Sequence, residues 1–146
     1  MKRVYINEDV CIGCHLCEVY CKLEHSKSND LVKAFNTESP RPVSRVHIEE
    51  KKPVSFSVRC HHCPEPQCVY ACLTGALQKD EKSGIISLDE EKCVGCWTCV
   101  MACPYGAIRQ DKEQHHSVKC DMCQGKDIPV CVANCPNEAL VYRDSK

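Results

Sequence analysis

Aromatic side chains are scarce in this 146-residue chain: Phe, Trp and Tyr together make up 5%, with a single tryptophan. That rules out a conventional core built on ring packing, and a chain this small needs some other staple. Long hydrophobic runs are also lacking. None approaches the roughly 20 apolar residues of a membrane-spanning helix, so no direct membrane insertion is expected. The opening MKRVYIN has no apolar core of a secretory leader and runs straight to Cys11, which predicts cytoplasmic, reducing surroundings. Neither sign of charge dominates: nineteen Lys and Arg stand against twenty Asp and Glu, a formal net charge of -1. The charges are scattered, and no basic block points to nucleic acid as a partner. There is no Gly-rich phosphate loop and no dinucleotide fingerprint.

What the chain does have is cysteine, sixteen residues in four groups of four. The groups are Cys11, Cys14, Cys17, Cys21; Cys60, Cys63, Cys68, Cys72; Cys93, Cys96, Cys99, Cys103; and Cys120, Cys123, Cys131, Cys135. In reducing surroundings such density means metal. The first and third groups follow C-x2-C-x2-C-x3-C, the run that holds [4Fe–4S] cubanes in bacterial ferredoxins, where the fourth thiolate reaches a different cluster from the first three. Three thiolates two residues apart can wrap three corners of a cube, while the fourth, after a longer step, points away. Structural zinc normally takes two separated C-x2-C pairs, so the third close cysteine would be redundant there. Disulfides fit worse, because cysteines crowded into one loop cannot all find oriented partners. Cubanes are the leading reading, with a zinc-loaded interaction module as the remote one. Gly13 and Gly95 sit inside the first and third loops, where a side chain would obstruct the turn. Pro104 and Pro136 follow Cys103 and Cys135 directly, the C-P ending of the ferredoxin run, whereas Lys22 and Leu73 stand in that place in the other two groups.

The sequence repeats. Val4 to Cys21 matches the stretch from Ile86, each of its cysteines recurring 82 residues later; SVRCHHC matches SVKCDMC, and TGAL matches NEAL. One unit written twice, about 1–82 and 83–146, is therefore expected within a single domain spanning 1–146. Strands are predicted at Arg3–Asn7, Ile85–Leu88, Ile108–Gln110 and Leu140–Arg143, with short helices starting at the third cysteine of a group. The first unit carries a longer connection between its groups, in which Val43–Glu49 and Val54–Val58 read as a hairpin insertion around a polar turn.

The order of the four groups resembles the four-cluster ferredoxin-like electron-transfer subunits found with dimethyl sulfoxide reductase, formate dehydrogenase, hydrogenase, carbon monoxide dehydrogenase and tungsten aldehyde oxidoreductases. The stretch CHHCPEPQCVYAC, with Pro64 and Pro66 inside its four-residue gap, is the most specific part, and the likeness covers nearly the whole chain. The resemblance implies an α+β, ferredoxin-like fold of tandem bacterial 2[4Fe–4S] units with a pseudo-twofold internal repeat. It also implies four [4Fe–4S] clusters with crossed ligation: Cys11, Cys14, Cys17 with Cys135; Cys21 with Cys120, Cys123, Cys131; Cys60, Cys63, Cys68 with Cys103; and Cys72 with Cys93, Cys96, Cys99.

All sixteen thiols are then used as ligands, and no catalytic constellation remains. The expected role is electron transfer, as the iron–sulfur subunit of an oxidoreductase of anaerobic metabolism. Its partners would be a tungsten, molybdenum or nickel catalytic subunit that oxidises an aldehyde, formate or carbon monoxide, and an electron acceptor protein. A free polyferredoxin shuttling between enzymes is the alternative, and self-association into a longer wire is conceivable on the same grounds. His61, His62, His115 and His116 read first as exposed loop residues and second as hydrogen-bond donors to sulfur. Trp97, Tyr105, Tyr20 and Tyr70 read as shielding around the clusters.

Overall fold

In the computed structural model, which describes residues 2–144, short helices and small two-stranded sheets alternate along the chain. Strand β1 (Lys2–Ile6) leads through a 3-10 turn, Glu8–Val10, into the first cysteine loop and helix α1 (Leu16–Glu24). Helix α2 (Leu31–Asn36) and the hairpin β2 (Val46–Lys51) and β3 (Val54–Arg59) precede the second cysteine group and α3 (Gln67–Tyr70). Then come β4 (Leu77–Lys79), β5 (Ile86–Leu88), α4 (Thr98–Ala102), a short hairpin β6 (Arg109–Asp111) and β7 (His116–Val118), α5 (Val130–Ala133) and β8 (Leu140–Asp144). Among the described residues no helix is long and apolar enough to cross a membrane.

The sheets join distant parts of the sequence. β1 pairs antiparallel with β8, Val4 opposite Tyr142 and Ile6 opposite Leu140, so the two ends of the chain share one sheet. β4 pairs with β5 in the middle of the chain, Leu77 opposite Leu88. Two cores form over these sheets. Val4, Val46, Met122 and Leu140 pack with Cys17, Cys21 and Cys131; Leu77, Ile86 and Ile108 pack with Cys68 and Cys99. Helices follow the same division, α1 against α5 and α3 against α4. A buried aliphatic side chain contributes about 1.5–3 kcal/mol, and these cores hold few of them; cysteine fills the remaining space.

The four predicted strands and the predicted hairpin are all present within two or three residues of their expected bounds. Four elements were not among the expected bounds: the 3-10 turn Glu8–Val10, α2, β4 and β7. Because β7 pairs with β6, a hairpin also precedes the fourth cysteine group, and the one before the second group is the longer of two. α2 is locally specified, since the Asp30 carboxylate accepts from the Lys33 amide at 2.9 Å and caps its first turn. β4 and β7 have three residues each and exist only through their partners.

The cysteine loops share one backbone trick at matching positions. Gly13 and Gly95 both take left-handed φ, +63° and +66°, and His15 and Trp97 both sit at φ 60° immediately before α1 and α4. These turns reverse the chain within a few residues and point successive thiols into a common space. At Gly95 a Cβ would also run into the His115 backbone carbonyl, whereas at Gly75, also left-handed, it would meet nothing. Gly75→Ala should therefore cost only the left-handed penalty, about 1–2 kcal/mol. Gly95→Ala should lower the thermal midpoint of the iron-loaded protein clearly further, by a clash worth about 1–3 kcal/mol more; equal midpoints for the two variants would contradict the close approach.

Candidate metal centre

All sixteen cysteines are free thiols, and the fold gathers them across long stretches of sequence. Cys11, Cys14, Cys17 and Cys135 line one small cavity together with Ile6, Ile12 and Pro136. This follows from the pairing of β1 with β8, which brings the end of the chain beside the first loop. Cys21, on the buried side of α1, is near enough to Cys120, Cys123 and Cys131 for its charge to act on all three. Cys60 and Cys103 act in the same way on Cys63 and Cys68. Cys72 acts on Cys96 and Cys99, and Cys93 on Cys99. These neighbourhoods cross the boundaries between groups: Cys135 lies with the first group, and the charges of Cys21, Cys103 and Cys72 reach the fourth, second and third. The charge of Cys60 also reaches Cys120, and that of Cys99 reaches Cys68.

Backbone amides already point at several of these sulfurs. Arg45 N donates to Cys21 Sγ at 3.2 Å, and His62 N, Met122 N and Ala107 N donate to the sulfurs of Cys60, Cys120 and Cys103, each at 3.4 Å. Such N–H···S bonds favour the thiolate and set the potential of a cluster bound to it. They do not offset burial. Desolvation pushes the Cys17 and Cys120 thiols up to about 12 and Cys68 to about 11, and it raises Cys131 as well. Cys72 and Cys96 go the other way. At Cys72 burial is outweighed by the amides of Leu77, Thr74 and Ala76, and at Cys96 the Thr98 hydroxyl leads. The buried thiols will ionise only against a cation, which is what metal ligation supplies.

The donor set fits an iron–sulfur cube. It consists of thiols, four of which line one cavity, with apolar side chains packed beside them and amides aimed at several of the sulfurs. Among the described residues no three His, Cys, Asp or Glu side chains converge on one point as a single metal ion requires. A cube gives each thiolate its own iron and so accepts a wider spread than tetrahedral zinc.

The residues around the thiols divide unevenly from expectation. His61 and His115 are exposed as expected, but His62 and His116 are buried at 1% and 8% exposure. His62 fills a gap beneath β5, where its Nδ1 accepts from Ile86 N at 2.9 Å. Burial, followed by the charges of Lys119, Arg3 and Arg59, holds its pKa near 2, so it is neutral with its proton on Nε2. Tyr70 and Tyr105 are mostly exposed, Tyr105 against His61 at a 4.3 Å ring separation, while Tyr20 and Trp97 are half-buried. Two serines were missed: Ser117 Oγ lies 3.0 Å from Cys99 Sγ, and Ser57 lines the same cavity as Cys17. Their signal was the SVRC and SVKC match, which was read for its cysteines alone. Asp121 is a further tie, bonded to Arg45 Nη1 at 2.5 Å and to His25 Nε2 at 3.3 Å. It anchors the segment before β2 to the fourth cysteine group, and although burial opposes its charge, His25 and Arg45 hold it well below the usual carboxylate range.

Comparison with known proteins agrees with this chemistry. Residues 52–145 match the family model of the 4Fe-4S dicluster domain, and residues 8–26 match that of a 4Fe-4S binding domain. The chain is 34% identical to the electron transport protein HydN of Escherichia coli strain K12 over 152 residues, covering 92% of this chain and 83% of HydN. It is 35% identical to the E. coli protein named "Probable anaerobic dimethyl sulfoxide reductase chain YnfG" over 147 residues, covering 94% of this chain and 71% of that one. A chain of the active site complex BamBC of benzoyl coenzyme A reductase superposes with a TM-score of 0.53 at 21% identity, over 98% of this chain and 79% of that one, and so shares the fold. With a dicluster match over more than half its length and relatives of this closeness, the chain belongs to the 4Fe-4S dicluster family of iron–sulfur electron-transfer proteins.

Proposed function

We propose that the chain is the electron-transfer subunit of a larger oxidoreductase and that it holds four [4Fe–4S] clusters as one unit across 1–146, its tandem halves 1–82 and 83–146 intertwined through shared clusters. The ligand sets are Cys11, Cys14, Cys17, Cys135; Cys21, Cys120, Cys123, Cys131; Cys60, Cys63, Cys68, Cys103; and Cys72, Cys93, Cys96, Cys99. The observation that carries this reading is the reach of Cys21, which lies in the N-terminal group but acts on three thiols of the C-terminal one. When bound, each cluster takes up and releases one electron. The protein holds the thiolates in fixed loops, aims amides at sulfur and keeps water from the inner sets. With every thiol a ligand, it has no catalytic site of its own. A chain whose cysteines are metal ligands suits cytoplasmic, reducing surroundings.

The surface supports a subunit over a free shuttle. Cys14 and Cys96 are the exposed thiols, in different sets. Apolar side chains stand out around each: Ile12 at 63% exposure near the first, and Val94 at 67%, Leu73 at 77% and Met101 at 87% near the second. Exposed apolar side chains close in sequence to these two thiols are the candidate docking sites for partners. A molybdenum, tungsten or nickel enzyme that oxidises formate, an aldehyde or carbon monoxide would take one site and an acceptor protein the other; the name of YnfG supports a place in an oxidoreductase without the direction of electron flow.

Two outcomes test this. Cys135→Ala should remove about one quarter of the iron, roughly four of sixteen atoms, by metal analysis of anaerobic protein; unchanged iron would contradict the crossed ligation. Met101→Lys should leave iron content and thermal midpoint unchanged while depleting the catalytic subunit that co-purifies from native extracts. Undiminished co-purification would move the docking site elsewhere.

A further inference from the structure

Two cations are buried where the chain offers them little to pair with. Arg59, at the end of β3, is 4% exposed, and Lys119, just beyond β7, is 3% exposed. Each immediately precedes the first cysteine of a group, in the matching stretches SVRC and SVKC. Arg59 Nη1 donates to the Cys60 carbonyl at 3.5 Å, and its Nε has no partner among the described residues. Lys119 Nζ donates to the carbonyls of Ile86 and Cys120.

Their reach is crossed. Arg59 heads the second cysteine group, yet the groups that favour its charge are first Cys120 and Cys131 of the fourth, and only then Cys60. Lys119 heads the fourth group, yet its Nζ donates to the carbonyl of Ile86, whose amide donates to His62 Nδ1 inside the loop of the second group. Cys60 and Cys120 are themselves neighbours, so both cations stand where two sets of four meet. A guanidinium buried without a counter-charge costs several kcal/mol, and Arg59 is buried with its Nε unpartnered among the described residues. Neutral thiols cannot offset this; thiolate-ligated, anionic bodies on both sides can.

We propose that Arg59 and Lys119 form a crossed cationic bridge between the cluster on Cys21, Cys120, Cys123 and Cys131 and the cluster on Cys60, Cys63, Cys68 and Cys103, holding these two inner centres at higher potential than the outer two. The inference rests on the ligand sets proposed above. Reduction adds one negative charge to a centre without breaking a bond, and a fixed positive charge in a low-dielectric junction favours the reduced state. Arg59 has no proton to give up, so its contribution is the same at any working pH. The outer sets include the exposed Cys14 and Cys96, where water and salt screen such fields. An electron delivered at either end by a reduced partner enzyme therefore moves inward and rests in the middle until the acceptor draws it out.

The test is a potentiometric titration of the anaerobic, iron-loaded full chain, followed by electron paramagnetic resonance and paired with iron analysis. It compares wild type with Arg59→Gln, Lys119→Met and the charge-keeping Arg59→Lys. Both neutral variants should keep wild-type iron, and two of the four centres should fall by at least a tenfold change in reduced-to-oxidised ratio, which is 59 mV for one electron. Arg59→Lys should stay near wild type. Should one neutral variant lose iron, the midpoints of the other decide. Full iron with midpoints unmoved, or with all four moved alike, would overturn the bridge, and so would loss of about four irons from both neutral variants. Wild-type protein lacking the iron of four clusters would overturn the ligand sets instead.

Discussion

Cysteine supplies seven of the nineteen buried apolar residues found among those described, and a thiol that is a metal ligand cannot serve merely as a small hydrophobe. The whole structure depends on that constraint. Burial raises the pKa of Cys17, Cys68, Cys120 and Cys131, so these positions favour neutral thiols until a cation arrives. The aliphatic cores beside them are thin, and the sheets have two strands each, below the size at which a sheet is stable alone. Metal binding therefore supplies folding free energy as well as function. Under the proposed ligand sets that energy would join the two ends of the chain and its middle segments.

The same arrangement makes a conductor. Cys68 and Cys99 share one buried cluster, and the charge of Cys60 reaches Cys120, so thiols of different groups lie near one another, as serial one-electron transfer requires of the centres they would hold. Charge has to be managed in so small a volume. Amides directed at sulfur are found at Cys21, Cys60, Cys103 and Cys120, and two buried cations, Arg59 and Lys119, stand beside Cys60 and Cys120. Asp121, next to Cys120, is bound to Arg45 and His25.

Much of this was legible in the sequence because cysteine spacing is a geometric instruction. The grouping by fours, the turn glycines at 13 and 95 and the repeat at 82 residues carried the chemistry, and the segments Val43–Glu49 and Val54–Val58 showed the alternation of a half-buried hairpin. Less legible was what depends on pairing. β4 and β7 are three residues long and read as loop until β5 and β6 lie beside them. Helix α2 could have been found from Asp30 ahead of LVKAF, a capping signal that was passed over. The doublets at 61–62 and 115–116 defeated sequence reading for a plain reason. Adjacent residues point to opposite sides, so one histidine of each pair faces water and the other faces inward, and composition alone does not say which.

The claim that organises everything else is that each cluster is held by three cysteines of one group and the last cysteine of another. Diffraction at the iron absorption edge from anaerobically grown crystals tests it directly. The account predicts four separate iron peaks, with Cys135 beside Cys11, Cys14 and Cys17, and Cys21 beside Cys120, Cys123 and Cys131. Fewer than four peaks, or any peak enclosed by the four cysteines of a single group, would contradict it.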